Sequence, residues 1–371
     1  LDAVAARAFL PRAGAALDLN RLAPFGAAVV IEPRLTPGGV TIRVHDMERR
    51  AVAREASFPL PVDVYGPGWR LALHGVSDEL GLWIFGARGA AQTRILYTGG
   101  DGQVWAIDSD GAGARRLTSV ELALSPAWRP DGSGFVFAGV SAGRWRIGLS
   151  GLAVGSTRWL GATQPRGITI TPAFTRDGSS IAYAHGDESG TNLWLANAAD
   201  NGAPRRLTPA RSGDNTSPSF DPTGRQIVFT SGRAGQPDLY MMDVDGANAQ
   251  PLTTSSLGGS SDNGSPDWSP DGLRIVYQSQ LGGAFQIVSL ALRDRSTRQH
   301  TSEGENEDPS WSSDSRHVVF SSTRTGARQL WIVDTESGRM RQLTRSPGAR
   351  LPDWSPYLGR PSMDFQNQQR R

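Results

Sequence analysis

A four-residue pattern with Pro at its second place and an aromatic residue at its fourth place recurs six times in the chain. The six tetrads are Ser125–Trp128, Thr171–Phe174, Ser217–Phe220, Ser265–Trp268, Asp308–Trp311 and Leu351–Trp354. Their prolines are separated by 46, 46, 48, 43 and 43 residues. A fixed period of about 45 residues is typical of the blades of a β-propeller, each of which holds four short strands.

The residues between successive tetrads have the composition of strands and tight turns. Sequences such as Asp131-Gly132 and Pro222-Thr223-Gly224 follow every tetrad but the last. They predict turns, because Pro presets the backbone of a turn and Gly tolerates the conformation at its end. Runs such as Phe135–Phe137 and Ile227–Phe229 come next and favour strands. No unit shows the 3.6-residue apolar period of a helical repeat. The sequence therefore predicts a mainly β fold built around a six-bladed β-propeller.

The first and last units complete each other. The last tetrad has no outer strands after it, whereas segments 94–97, 104–108 and 115–118 resemble outer strands without an innermost one. Pairing strand 351–356 with these segments would close the ring and leave no free edge between first and last blades. We expect the propeller to span residues 93–358 and the polar residues 359–371 to form a disordered tail. In each tetrad, we expect the aromatic residue to pack between blades and the Pro to start an inner strand.

Residues 1–92 lack the repeat and predict a small N-terminal α/β domain. Segment 28–31 favours a buried strand, and alternating apolar residues over 40–44 favour a half-buried one. Apolar residues at helical spacing run from Trp69 to Trp83, after the helix breaker Gly66-Pro67-Gly68. The chain begins at Leu1 inside this pattern, so we expect the domain to be truncated at its start.

Composition excludes several classes of function. All 38 basic residues are Arg, but they are spread along the chain and the net charge is only +2, which does not favour nucleic acid as a partner. The absence of Cys excludes disulfides, zinc-thiolate sites and thiol catalysis. No apolar run approaches the ~20 residues of a membrane span, so direct membrane insertion is not expected.

Motifs for catalysis and metal binding are present only in incomplete form. Gly139–Gly143 matches the GxSxG nucleophile pattern, but that motif requires a turn from a strand into a helix, and here it falls within a blade. Segments 108–111 and 243–246 resemble the start of calcium loops but lack the later ligands. The five His residues have no ligand spacing. We expect no enzyme activity, cofactor or metal. A propeller enzyme with a small-molecule site in the channel remains an alternative.

Three longer stretches carry a family resemblance. They are HGVSDELGLWIFGARGAAQTRILYT (His74–Thr98), RSGDNTSPSFDP (Arg211–Pro222) and LPDWSPYL (Leu351–Leu358). Together they resemble the TolB family of six-bladed propellers, and segment 27–58 is similar to part of that family's N-terminal domain. The resemblance implies a periplasmic, non-enzymatic adaptor of the Tol-Pal system. Such an adaptor is a monomer outside its complexes, binds the lipoprotein Pal at the propeller, and supports outer-membrane integrity and cell division.

A second partner implied by the resemblance is TolA, which the family binds through a flexible arm at the start of the mature chain. That arm is missing from this sequence, so TolA binding is expected only if the native N terminus supplies it. A structural subunit of a larger envelope assembly is a further alternative, because the missing arm would permit it.

Candidate partner-binding residues lie in the segments that precede the inner strands. These segments converge on one face of a propeller, around the mouth of its channel. The candidates are Arg211, Asp214, Asn215, Thr216, Asp262, Asn263, Glu305, Asn306, Glu307, Asp308 and Arg350. They form either a set of solvated loops or a polar ring that hydrogen-bonds a protein loop inserted at the mouth. The resemblance favours the ring because it supplies a partner.

Overall fold

The computed structural model describes residues 17–64, 66–160, 167–199, 202–253 and 262–359. The chain divides into two units, Leu1–Ala91 and Gln92–Arg371. The boundary falls one residue before the position expected from sequence. Of the predicted polar tail, only Gly359 lies among the described residues.

The N-terminal unit is a three-stranded antiparallel sheet with one helix. Its strands are ordered β1-β2-β3. The elements are short 3-10 turns at Leu19–Arg21 and Ala23–Phe25, strands β1 (Val29–Thr36), β2 (Gly39–Asp46) and β3 (Ala51–Pro59), and helix α1 (Pro67–Phe85). Strand β1 runs five residues beyond the expected 28–31 strand because it pairs with β2 along its whole length. Sequence reasoning missed β3, most of whose residues are exposed and show no apolar alternation.

The core of this unit lies between β2 and α1. Val40, Ile42 and Val44 on β2 pack in one apolar cluster with Val76 of the helix. The helix begins with Pro at its first position and ends at Gly86, whose φ of 75° only Gly adopts readily. The amphipathic stripe predicted from sequence thus forms a helix that covers one face of the sheet.

Gln92–Arg371 contains, within its described residues, six four-stranded antiparallel sheets. Blade 1 consists of β27 (Arg350–Trp354), β4 (Arg94–Thr98), β5 (Val104–Asp108) and β6 (Arg115–Arg116). Blade 2 consists of β7 (Leu122–Trp128), β8 (Gly134–Ser141), β9 (Arg144–Gly151) and β10 (Arg158–Trp159). Blade 3 consists of β11 (Ile168–Phe174), β12 (Ser180–Asp187), β13 (Gly190–Asn197) and β14 (Arg205–Arg206). Blade 4 consists of β15 (Asn215–Phe220), β16 (Gln226–Ser231), β17 (Asp238–Asp243) and β18 (Gln250–Pro251). Blade 5 consists of β19 (Asn263–Trp268), β20 (Arg274–Leu281), β21 (Ala284–Ala291) and β22 (Thr297–Gln299). Blade 6 consists of β23 (Asn306–Trp311), β24 (His317–Ser322), β25 (Gln329–Asp334) and β26 (Met340–Gln342). This architecture confirms the predicted mainly β fold.

Blade 1 joins the two ends of the propeller sequence. Its innermost strand β27 pairs antiparallel with β4, and Trp354 lies opposite Ile95. The indole Nε1 of Trp354 donates a hydrogen bond to Thr93 Oγ1 at 2.7 Å. Because both strand edges at the junction are paired, neither offers a template for pairing with another chain.

The tetrad aromatics pack between successive blades. Trp128 of blade 2 shares an apolar cluster with Leu96 and Val104 of blade 1 and with Phe135 of its own blade. Equivalent clusters surround Phe174, Phe220, Trp268 and Trp311. A large buried aromatic side chain contributes more apolar area than any other residue type, so these contacts hold neighbouring sheets together.

Each innermost strand carries a β-bulge at its tetrad. The strand register shifts there in all six blades. The residue before each Pro has a positive φ, from 47° at Thr171 to 54° at Asp308. The prediction that Pro starts the inner strand is therefore wrong, because in blade 2, for example, β7 begins four residues before Pro126. The bulge tolerates Pro because the inner edge of this strand has no partner that needs the missing N–H.

Candidate functional site: the propeller channel

The channel holds a cavity of about 500 Å³. All six tetrads line it, together with residues of the turns that follow the innermost strands, among them Arg176 and Tyr357. We call the end where the innermost strands begin the mouth and the end where they finish the turn end. The cavity therefore extends from the bulges to the turn end.

The predicted mouth residues divide between loops and strands. Arg211, Asp214, Asp262 and Glu305 lie in loops. The remaining seven belong to the innermost strands, which begin at Asn215, Asn263, Asn306 and Arg350. The expectation that all of them precede the strands is therefore wrong, because each ladder continues beyond the bulge toward the mouth.

The three asparagines of the predicted set are buried. Asn215 and Asn306 are 0% exposed and Asn263 is 5% exposed. The amide nitrogen of Asn306 donates to Gln286 Oε1 at 2.9 Å, and that of Asn263 donates to Asp238 Oδ1 at 2.8 Å. A direct contact between these asparagines and a partner does not fit their burial, since their polar atoms already bind neighbouring side chains and loops.

Two acidic side chains of the set fasten the mouth loops to the preceding blade. Asp214 Oδ1 accepts a hydrogen bond from the backbone N–H of Thr191 at 3.0 Å. Glu305 Oε2 accepts one from the backbone N–H of Phe285 at 2.9 Å. Hydrogen bonds to a carboxylate are stronger than those between neutral groups, so these contacts hold the mouth loops in place.

Several charged side chains lie at the mouth end of blade 6. Glu307 forms a hydrogen-bonded ion pair with Arg328. Burial and the neighbouring charge of Glu307 raise the pKa of Asp308 to about 6. Asp308 is the one member of the predicted set among the described residues that line the cavity. Arg211 and Arg350 are exposed at the mouth, so both signs of charge are available to a partner there.

Sequence reasoning missed two carboxyl groups farther along the channel. Asp267 and Asp353 hold the third place of their tetrads and line the cavity. Burial raises the pKa of Asp353 to about 8, and the charge of Asp267 adds to this effect, while Arg176 opposes it. Burial also raises the pKa of Asp267. Asp occurs at this place only in SPDW and LPDW, and that difference between tetrads is the signal that could have revealed them.

Third-place side chains link four of the blades to the next blade in chain order. Asp353 Oδ2 accepts the backbone N–H of Trp128 at 2.6 Å, and Asp267 Oδ2 accepts that of Trp311 at 2.8 Å. Hydroxyl groups do the same elsewhere. Ser219 Oγ accepts the N–H of Trp268, and Ser310 Oγ accepts that of Trp354, each at 3.1 Å. Four of the six blade junctions are therefore bridged inside the channel.

The catalytic and calcium motifs form turns. Ser141 ends β8 and pairs with Arg144 across the hairpin to β9, so Gly139–Gly143 does not form the strand-to-helix turn of a nucleophile elbow. The calcium-like segments end in Gly111 and Gly246, with φ of 92° and 93°. In the part of the chain that the structure describes, no group of three or more His, Asp or Glu side chains is placed to hold a metal ion.

Comparison with known proteins decides the family. The TolB β-propeller domain matches residues 83–358. The chain belongs to the TolB β-propeller family. This match confirms the family suggested by the three quoted stretches and covers the whole channel.

Individual TolB relatives agree with this assignment. The Tol-Pal system protein TolB of Bordetella pertussis is 32% identical over 184 residues, which are 48% of this chain and 41% of that protein. The chain therefore matches less than half the length of this curated relative. The crystal structure of TolB from Acinetobacter baumannii has a TM-score of 0.79 at 22% identity and covers 92% of this chain and 86% of its own.

The fold occurs in enzymes as well. A solved puromycin hydrolase has a TM-score of 0.50 at 17% identity, over 87% of this chain and 54% of its own. Propeller fold alone therefore does not separate binding proteins from enzymes. Among the described helices, none is long and apolar enough to cross a membrane.

Proposed function

We propose that this chain is a periplasmic component of a Tol-Pal system and acts as a non-enzymatic adaptor. The observation that carries this proposal is the TolB family match over residues 83–358, together with 32% identity to a Tol-Pal system protein. The hairpin geometry of Ser141 adds support, because it removes the best candidate nucleophile. In this role the chain supports outer-membrane integrity and cell division.

The proposed partner is the lipoprotein Pal, bound at the channel mouth. The exposed contacts would come from Arg211, Asp214 and Arg350, with Glu307 and Asp308 deeper in the opening. The buried asparagines and the carboxylate of Glu305 hold the surrounding loops in position. A mouth that is fixed before binding loses less conformational entropy when a partner loop enters. TolA stays an expectation that depends on an N-terminal arm.

Binding of the purified chain to the soluble domain of Pal from the same organism tests this proposal. Arg211→Glu and Glu307→Arg should each weaken binding, whereas charge reversals at the turn end should not. Arg225→Glu is the matched control for the first variant, since Arg225 is also exposed and lies in the turn after the innermost strand of the same blade. Glu336→Arg is the control for the second, because Glu336, like Glu307, pairs with an Arg.

The outcome distinguishes an adaptor from a structural subunit and from a propeller enzyme. Loss of binding in the mouth variants alone supports the adaptor role and places the partner at the mouth. Absence of binding by a chain whose propeller is folded, as judged by circular dichroism and a cooperative thermal transition, overturns the proposed role and favours a structural subunit. Turnover of a substrate bound in the channel would favour the propeller enzyme.

A further inference from the structure

Two backbone N–H groups point into the channel from blades 3 and 4. Thr175 N donates to Ser180 O at 2.9 Å, and bonded and non-bonded pairs alternate along an antiparallel ladder. Phe174, one residue earlier, therefore turns its N–H away from β12. Since β11 is the innermost strand, that N–H faces the lumen. The same geometry holds for Phe220, because Asp221 N donates to Gln226 O at 3.0 Å.

These two donors lack the partner that the other blades provide. At the four bridged junctions, Asp or Ser in the third place accepts the N–H of the next tetrad's aromatic residue. The third places that face Phe174 and Phe220 are Ala127 and Ala173, which have no acceptor. Across the described ranges, neither N–H donates to a side chain, a turn or a loop, and the alternation of the ladder excludes a bond to β12 or β16. A buried donor without an acceptor is costly, so these positions favour a ligand that supplies one.

A cation lies beside Phe220, on a residue that follows Phe174 by two positions. Arg176 lines the cavity, and its guanidinium donates to Asp221 O and Phe220 O at 3.3 and 3.4 Å. Arg176 is exposed, so a ligand in the cavity can reach its side chain. We call the N–H groups of Phe174 and Phe220 and the guanidinium of Arg176 the open arc.

Carboxyl groups from two other blades also line the cavity. Asp267 and Asp353 belong to blades 5 and 1, and both line the same cavity as the open arc. Burial raises the pKa of both carboxyl groups, so a further negative charge beside them is disfavoured, and a cation or a hydrogen-bond donor is favoured. Because the two groups are shielded from bulk water, both preferences are stronger than at an exposed surface.

We propose that the channel binds a small zwitterion, such as a short peptide with free termini, with its carboxylate on the open arc and its ammonium group toward Asp267 and Asp353. Charge-assisted hydrogen bonds from two backbone N–H groups and a guanidinium suit a carboxylate. The cavity of about 500 Å³ is in the usual size range of small-molecule sites. The residues of this site lie toward the turn end of the cavity, whereas Asp308 lines its mouth side, and the proposal goes beyond the proposed binding of Pal.

Calorimetric titration of the full chain with the dipeptide alanyl-alanine tests this site. We expect the dipeptide to bind and its affinity to fall by at least about tenfold when its C terminus is amidated, because the amide loses the charge-assisted hydrogen bonds that a carboxylate accepts from the open arc. Acetylation of the N terminus should also weaken binding. Equal binding of the dipeptide and its amide, or no binding of the dipeptide, would overturn the proposal and leave the two donors to water.

Ala173→Ser provides a test within the protein. The new hydroxyl would accept the N–H of Phe220, as Ser219 accepts that of Trp268, and should lower dipeptide affinity by about tenfold without loss of fold. Ala153→Ser, in an exposed loop, is the matched control and should bind as the unmodified chain does. Unchanged dipeptide affinity in folded Ala173→Ser would contradict the proposal. Pal binding is measured on the same variant, so failure of this site is distinguishable from failure at the mouth.

Discussion

Asp353 accepts a hydrogen bond from the backbone N–H of Trp128 at 2.6 Å, although 225 residues separate them in the sequence. The contact connects blade 1, which the last strand completes, to blade 2. It also places the Asp353 carboxyl inside the channel, near Asp267 and Arg176. A single side chain therefore bridges a blade junction and carries a titratable group whose pKa is far from its usual value.

The raised pKa of Asp353 makes the stability of the propeller depend on pH. Between its ordinary value of 3.8 and about 8, the native state binds more protons than the unfolded state, so stability falls as the pH rises. In the variant Asp353→Asn, the side chain stays neutral at every pH, and its amide oxygen can still accept the N–H of Trp128. Denaturant titrations should show Asp353→Asn more stable than the unmodified chain at about pH 8, by on the order of 2 kcal/mol, and this gain should shrink toward about pH 4.

Asp110→Asn is the control for that experiment, because Asp110 lies in an exposed turn. Its effect on stability should be small because the side chain is exposed. A constant difference between Asp353→Asn and the unmodified chain over the whole pH range would show that the pKa of Asp353 is the same in the folded and unfolded states, and would contradict the prediction.

Loss of a hydroxyl bridge should also be measurable. Ser310 is 4% exposed, and its Oγ accepts the N–H of Trp354 at 3.1 Å. Ser310→Ala leaves that donor unpaired and should lower the free energy of unfolding by about 1 to 2 kcal/mol. Ser313→Ala, half-buried at the turn end, should cost little. Equal midpoints for the two variants in urea would argue against the bridge.

Removal of the aromatic at the ring closure should be more damaging. Trp354 is 7% exposed, and its indole donates to Thr93 Oγ1 in addition to filling space beside β4. Trp354→Ala should lower the free energy of unfolding by about 3 to 5 kcal/mol, because it leaves a cavity and removes the hydrogen bond to Thr93. Trp145→Ala on β9 removes a half-exposed indole and serves as the comparison in thermal melts. A smaller loss for Trp354→Ala than for Trp145→Ala would contradict this role.

His300 should destabilise the protein in acid. Burial, helped by the charges of Arg298 and Arg274, lowers its pKa to about 4, and Nε2 lies 2.8 Å from Ser289 Oγ. Between its ordinary value of 6.5 and about 4, the unfolded state binds more protons, so stability falls as the pH drops. His300→Gln should reduce this loss by on the order of 2 kcal/mol. Identical acid unfolding curves for both proteins would contradict the prediction.

Local sequence was sufficient for most of the fold. The blade number, the period, the aromatic positions and α1 depend on turn residues and apolar spacing within a few residues of each other. Strand β3 was missed because its residues are mostly exposed and show no apolar alternation. The bulges were missed because the positive φ at Ser125 or Leu351 belongs to a shift in strand register and not to a residue type that favours such a φ.

The sequence by itself determined a six-bladed propeller, because each blade repeats a short local pattern, and the resemblance of three stretches pointed to the TolB family. Only the tertiary structure decided which of its polar groups are available. Packing of each blade on the preceding one buries Asn215, Asn263 and Asn306 at the mouth, and the ring of blades brings Asp267 and Asp353 into one lumen. The same packing leaves the N–H groups of Phe174 and Phe220 opposite alanines. Burial and pairing depend on which blade lies next to which, and that neighbourhood joins residues far apart in the chain.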